Sequence, residues 1–63
     1  MANMESMMFQ VDMTFRKYGA DRGLEENAQQ IIRWREAGVI TESEYKELRK
    51  YNRETYAELP LDW

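Results

Sequence analysis

Carboxylates are the side chains of this 63-residue sequence whose chemistry suits acid–base catalysis. Two carboxylates divide the roles of acid and base only where their surroundings separate their pKa values, as an apolar pocket does. Here the glutamates are interspersed with lysines and arginines on segments that we expect to be solvated helix faces. The sequence therefore predicts no catalytic residues and no enzyme activity. The glutamates concerned are Glu25, Glu26, Glu36, Glu42, Glu44, Glu47, Glu54 and Glu58.

Other kinds of chemical site are limited by the residues that the sequence lacks. It contains no Cys and no His, which excludes disulfides, thiol and imidazole catalysis, and the usual ligands of structural zinc. Gly19 and Gly23 lie close together, but no Lys-Ser or Lys-Thr pair follows them, so they do not form a phosphate-binding loop. We expect no metal and no cofactor, and a chain this short has little room for a substrate pocket.

The charge balance argues against extended contact with nucleic acid. Nine Lys and Arg residues oppose twelve Asp and Glu residues, giving a net charge of −3, whereas a basic face is the usual footprint of phosphate binding. The sequence has no apolar run long enough to span a membrane, and its methionine-rich N-terminus has no basic leader. We therefore expect no membrane partner and a location in the cytoplasm of the producing or host cell.

The residues around Gly38 predict a helical hairpin. A helix can end at glycine because glycine adopts the left-handed backbone of a C-terminal cap without a Cβ clash. Thr41 and Glu44 have the spacing of a capping box, in which each side chain accepts a hydrogen bond from the other residue's amide, and they start the second helix. Val39 and Ile40 lie between the helices and are expected to hold the turn against the core.

The boundaries of a single domain follow from this hairpin. The glycine-containing stretch 18–23 is predicted to be a loop, with Asp21 as the N-terminal cap of the first hairpin helix. Pro60 is expected to end the second helix. The predicted elements are an N-terminal segment at 1–20, a helix at 21–38, a turn at 39–41, a helix at 42–59 and a tail at 60–63. The apolar faces are Leu24, Ala28, Ile31 and Ile32 in the first helix, and Tyr45, Leu48, Tyr51, Tyr56 and Leu59 in the second.

The stretch Arg35–Leu48 resembles a known kind of hairpin. In it a helix ends at Gly38, two aliphatic residues follow, and Thr41-x-x-Glu44 with the aromatic Tyr45 starts the next helix. This pattern resembles the SHOCT-type short helical hairpin and is similar to the turn in small XkdX-type phage proteins. The resemblance covers about a quarter of the chain and implies a small helical interaction module of phage or mobile-element origin, without catalytic residues. Such a protein would bind and modulate a host or defence protein, for example as an inhibitor.

Residues 4–18 fit two periodicities, and the choice separates two fold classes. At 3.6 residues per turn an apolar stripe leaves Phe9 and Met13 outside it, which predicts an all-α domain of two or three helices centred on the hairpin. At period two, Phe9, Val11, Met13 and Phe15 alternate with polar residues, which predicts a strand followed by two helices. The strand would need a second copy to pair with, as in a ribbon-helix-helix dimer. The helical stripe consists of Met4, Met7, Met8, Val11, Phe15 and Tyr18.

Protein binding is the function that the sequence favours. Phe9 and Met13 remain outside the helical stripe, Trp34 lies at the edge of its stripe, and Trp63 lies beyond the last predicted helix. Large side chains of this kind are enriched at the energetic centres of protein interfaces. We predict that these four residues contact a partner protein. The simplest partner is a second copy, giving a homodimer built around Phe9 and Met13.

The strand alternative predicts a different function. Two strands paired across a two-fold axis would present Gln10, Thr14 and Arg16 to the major groove, as in ribbon-helix-helix transcriptional regulators. Asp12 would share that surface and the net charge is acidic, and both oppose phosphate contact. DNA binding is therefore the alternative to protein binding.

Overall fold

Three α-helices make up the part of the chain, residues 3–59, that the structure, a computed structural model, describes. They are α1 (Met4–Tyr18), α2 (Ala20–Glu36) and α3 (Glu42–Glu58), which confirms the all-α fold centred on a helical hairpin. Residues 3–59 contain no strand, so the strand alternative for the N-terminal segment is wrong. A helix buries Met7, Val11 and Phe15 on one side, whereas a strand would leave its backbone edge unpaired.

Gly19 alone joins α1 to α2. The side chain of Asn3 caps the start of α1, and Gly19 ends it with a φ of 87°, a left-handed value that favours glycine. Because this one residue reverses the chain, α2 begins at the next position. The predicted loop at 18–23 is therefore wrong, and Asp21 lies in the first turn of α2 rather than at its N-terminal cap.

Gly23, which the predicted loop contained, lies inside α2 and against α1. A Cβ atom at this position would come within 2.7 Å of Phe15 Cδ1 and 2.9 Å of Phe15 Cα. Side chains do not tolerate contacts this short, so the absence of a Cβ atom allows the two helices to approach closely here. Phe15 is fully buried at this contact.

Gly38 ends α2, as predicted. Its φ of 74° lies in the left-handed region. The Gly38 amide donates to the Arg35 carbonyl at 3.1 Å, and the Val39 amide donates to the Trp34 carbonyl at 2.9 Å. These two bonds form a Schellman motif, which satisfies carbonyl groups that the end of a helix leaves without partners.

Thr41 and Glu44 form the predicted capping box at the start of α3. Thr41 Oγ1 accepts from the Glu44 amide at 3.2 Å, and Glu44 Oε1 accepts from the Thr41 amide at 2.8 Å. Ile40 is buried beside the turn, but Val39 is 44% exposed. Only one of the two aliphatic residues therefore holds the turn against the core, because neighbouring residues of the turn point in different directions.

The core lies between all three helices. Ile31 is fully buried, but Ile32, which was predicted to share its face, is 41% exposed. The buried residues of α2 follow a four-residue spacing through Ile31, and Ile32 lies about 100° around the helix from it. Leu24, Trp34, Tyr51, Tyr56 and Leu59 are partly buried against this core. Its buried apolar residues are Met7, Val11, Phe15, Ile31, Ile40, Tyr45 and Leu48.

Two buried asparagines tie the helices together. Asn27 Nδ2 donates to the Val11 carbonyl and to Asn52 Oδ1, both at 3.1 Å, and Asn52 Nδ2 donates to the Leu24 carbonyl at 3.1 Å. Asn27 is only 2% exposed and Asn52 only 3%. Because these bonds join all three helices away from water, they are satisfied only in one alignment of α1, α2 and α3.

Candidate protein-binding surface

Two of the predicted contact residues lie exposed on α1. Phe9 is 59% and Met13 is 43% exposed, which confirms that both fall outside the apolar stripe. Each lies about 200° around the helix from Val11, on the side away from the core. Trp34 is partly buried against the core, and Trp63 lies outside the described residues.

A groove between α1 and α2, called the α1–α2 groove below, brings Met13 and Trp34 together. It has a volume of about 560 Å³. Asn27 is one of its lining residues, so the hydrogen bonds that align the helices also determine the shape of the groove. The other lining residues are Gln10, Thr14, Lys17, Tyr18, Glu26, Gln30 and Arg33.

The α1–α2 groove offers an apolar surface flanked by charges of both signs. Met13 and Trp34 supply apolar area, Lys17 and Arg33 are cationic, and Glu26 is anionic. Glu26 is the only carboxylate among the described lining residues, so the groove contains no pair of carboxylates that could divide acid and base roles. Its chemistry suits contact with a protein surface.

The exposed side of α1 carries a ridge that adjoins the groove at Met13. The helix is acidic in its first turn, at Glu5, and basic in its last turn, at Arg16 and Lys17. This polarity complements the helix dipole. We call the exposed row of residues that runs between these ends the α1 ridge, and it consists of Ser6, Phe9, Met13 and Arg16.

The residues of the DNA-binding alternative are divided between two sides of α1. Gln10 and Thr14 line the groove, and Thr14 Oγ1 donates to the Gln10 carbonyl of its own helix at 2.8 Å. Arg16 lies about 200° around the helix from Thr14, on the ridge. The three side chains therefore do not form one surface, and the paired strands that would have presented them to a groove of DNA are absent from residues 3–59.

Two tyrosine hydroxyls of α3 form hydrogen bonds to the other two helices. The Tyr51 hydroxyl donates to both oxygens of the Asp12 carboxylate, at 3.0 and 3.1 Å, and the Tyr56 hydroxyl donates to Asp21. Burial, and then the hydrogen bond to Asp12, raises the pKa of Tyr51. The hydrogen bond to Asp21 raises the pKa of Tyr56. Both phenols are therefore neutral donors at physiological pH, and Asp12 is engaged within the fold.

The burial of Asn27 and Asn52 was not predicted from the sequence, although their spacing contains a signal for it. Asn27 lies midway between Gly23 and Ile31 at four-residue spacing, and Asn52 lies four residues after Leu48. Apolar periodicity leaves such residues out, because it counts only hydrophobic side chains. A polar residue at a position where a buried stripe should continue indicates an internal hydrogen bond, since burial without a partner is costly.

Two other classes of site were sought in the described chain. No helix among residues 3–59 has the length and apolar character needed to cross a membrane. In the same residues, no three His, Cys, Asp or Glu side chains converge to hold a metal ion.

No protein-family model, curated protein or solved structure matches this chain.

Proposed function

We propose that this protein is a non-enzymatic binding module that contacts another protein through the α1 ridge and the α1–α2 groove. The observation that supports this most directly is Phe9, which is 59% exposed on a regular helix. Fully burying an exposed side chain of this type contributes about 1.5–3 kcal/mol, and the part of this stabilisation that corresponds to the exposed area of Phe9 is still to be gained. Met13 lies four residues further on and adds apolar area on the same side. The free chain forgoes this stabilisation, and the surface of a partner supplies it.

α1 presents these side chains on a backbone that is already ordered. Asn3 caps its N-terminus, Gly19 ends it, and Asn27 bonds its Val11 carbonyl from the neighbouring helix. Because the helix is formed before binding, few additional residues have to be ordered on association, and less of the interaction energy is lost. Two apolar anchors one turn apart on a helix are also a common mode of recognition between helices and grooves.

The groove supplies polar groups beside the apolar anchors. Lys17 and Arg33 provide positive charge, and Glu26 provides negative charge. Charges at the rim of an interface affect orientation and the rate of encounter more than affinity. We infer a partner surface that is apolar where it meets Phe9 and Met13 and that carries charges of both signs around that centre.

Site-specific photo-crosslinking in the producing cells tests this proposal. A photoreactive phenylalanine analogue replaces Phe9 or, as a control, Lys50, an exposed residue of α3. We expect discrete protein adducts from position 9 and none from position 50. Adding Met13→Asp to the position 9 variant should remove the adducts, because a carboxylate in an apolar contact is costly.

The absence of adducts from position 9, or equal labelling from both positions, contradicts the proposal. Adducts from position 9 that persist with Met13→Asp also contradict it, since they would not depend on the apolar contact. The mass of the adduct shows whether the partner is a second copy or a different protein.

A further inference from the structure

The α1 ridge has the spacing of a helix-pairing seam. Its residues succeed one another at three, four and three residues, the alternation at which the apolar positions of coiled coils recur, and the two central residues, Phe9 and Met13, are apolar. The opposite side of α1 packs in the core through Met7, Val11 and Phe15. The ridge is therefore a second seam on the same helix, and Phe9 and Met13 at its centre remain exposed.

We propose that the α1 ridge pairs with the same ridge of a second copy, forming an antiparallel, two-fold homodimer. This rests on the proposed function and identifies its partner. Phe9 lies two residues before Val11, and Met13 lies two residues after it. A two-fold axis at the level of Val11 therefore sets Phe9 of each copy against Met13 of the other, so that one patch serves both subunits.

The charges at the ends of α1 favour the antiparallel orientation. Glu5 lies six residues before Val11 and Lys17 lies six residues after it. The same axis therefore brings Glu5 of one copy to the level of Lys17 of the other, across the seam, at both ends of the interface. A parallel pair would instead bring like charges together and align the two helix dipoles in the same direction.

This symmetry about Val11 is the reason to choose a second copy as the partner. Phe9 with Met13 and Glu5 with Lys17 are complementary pairs, and both pairs are centred on one residue. A two-fold interface requires such self-complementarity.

An interface formed by one helix from each copy is small. α1 has 15 residues and is about 22 Å long, and only its outer side takes part. Stable interfaces usually bury more than about 1,200 Å² in total. We therefore expect a reversible dimer that dissociates at roughly micromolar concentration.

Sedimentation equilibrium of the full chain across the micromolar range tests the pairing. The parent protein should pass from monomer to dimer mass as its concentration rises. Phe9→Ala should lower the association constant about tenfold or more, because it removes a central apolar contact at two places in the dimer. Lys50→Ala, on α3, should leave the constant unchanged. Circular dichroism should show every variant folded, since all the altered positions are exposed.

A charge exchange tests the orientation. Glu5→Lys alone should weaken association, and so should Lys17→Glu alone, because like charges then meet. The double variant Glu5→Lys/Lys17→Glu should recover association, since opposite charges face each other again. In a parallel dimer like charges meet before and after each single change, so neither single variant should weaken association. Single variants that associate as the parent does, or a double variant that recovers nothing, overturn the antiparallel arrangement.

A monomer mass at every concentration, with a melting temperature independent of concentration, overturns the homodimer. So does a dimer that Phe9→Ala leaves unchanged. If the protein is monomeric and the photoreactive residue at position 9 still captures a different protein, the homodimer fails and the proposed function stands. If it captures nothing, both fail.

Discussion

Single side chains decide how the helices are aligned. Asn27 and Asn52 are polar side chains in apolar surroundings, and within residues 3–59 no buried side-chain nitrogen or oxygen lacks a partner. A buried polar group that loses its partner costs about 1–3 kcal/mol. Sliding α2 by a turn would break the bonds to the Val11 and Leu24 carbonyls together with the bond between the amides, whereas sliding α1 would break only the bond to Val11. We infer that the pair acts mainly by disfavouring other alignments of the same helices.

Replacing both asparagines should therefore cost less than the two single replacements added together. Asn27→Ala should lower the unfolding free energy by about 1–3 kcal/mol, because it leaves Asn52 Oδ1 without its donor in the core. Asn27→Leu/Asn52→Leu should cost less than the sum of the two single changes, since no polar side chain then remains unpaired. Urea denaturation measures these differences, with Gln29→Ala at an exposed position of α2 as the control. If Asn27→Ala is as stable as Gln29→Ala, the network does not stabilise the fold.

The bond between Tyr51 and Asp12 should make stability fall at high pH. Burial and Asp12 raise the pKa of Tyr51 above its ordinary value of 10.0, so the folded chain holds the phenolic proton more tightly than the unfolded chain does. The resulting stability is fully present below pH 10 and is lost as the pH rises through the raised pKa. As the pH rises above about 10, Tyr51→Phe should therefore lose less unfolding free energy than the parent. Superimposable pH profiles from chemical denaturation would show that this bond does not contribute.

The helices differ in how their ends are encoded. The connection between α2 and α3 combines a Schellman motif at Gly38 with a capping box at Thr41, so each helix end has its own signal. The connection between α1 and α2 is the single residue Gly19, and α2 has no side-chain cap. Tertiary packing stabilises this single-residue connection, because Gly23 lets α2 lie against Phe15 of α1. Local capping specifies one corner, and close packing of helices specifies the other.

The capped corner makes a prediction about two residues. Gly38→Val should lower the unfolding free energy by more than about 1 kcal/mol, because a β-branched residue is strained at a left-handed backbone position. Thr41→Ala should cost about 1 kcal/mol through the loss of one half of the capping box. Thermal melts measure both effects, and Val39→Ala, half exposed in the same turn, should have little effect. Melts of the first two variants that match the parent would contradict this account of the hairpin.

At the scale of the whole fold, residues 3–59 form a slender three-helix bundle with extents of 35 × 15 × 15 Å. The contact of Phe15 with Gly23 and the bond of Asn27 to Val11 show that α1 and α2 run antiparallel. A chain of about 60 residues buries only about 60% of the surface that its unfolded form exposes. Its margin of stability is correspondingly small, so covering Phe9 and Met13 in a complex would be a large addition to it.

The surface of the bundle does not favour DNA. The net charge is −3, and Gln10 and Thr14 face the groove while Arg16 lies on the ridge. We predict that a labelled library of DNA duplexes retains no protein at physiological salt. A sequence-selective shift that weakens as salt rises, and that Arg16→Ala abolishes, would instead support DNA binding.

The sequence by itself determined the parts of this protein that depend on neighbouring residues. Gly38, Thr41 and Glu44 lie within one short stretch, and the energies that place a helix end there come from bonds within that stretch. The exposure of Phe9 and Met13 also follows from helical periodicity, because both lie outside the apolar stripe of a helix at residues 4–18. The apolar centre of the α1 ridge was therefore predictable from local pattern.

Tertiary structure alone decided the features that join distant parts of the chain. Residues 4–18 satisfied two periodicities, and the helix forms because α2 and α3 offer a core for one of its sides. Gly23 was assigned to a loop, and only the presence of Phe15 against it explains a glycine inside a helix. The bond between Asn27 and Asn52 and the groove shared by Met13 and Trp34 likewise join residues on different helices. Local propensity carries no information about such contacts, because they exist only when separate elements pack together.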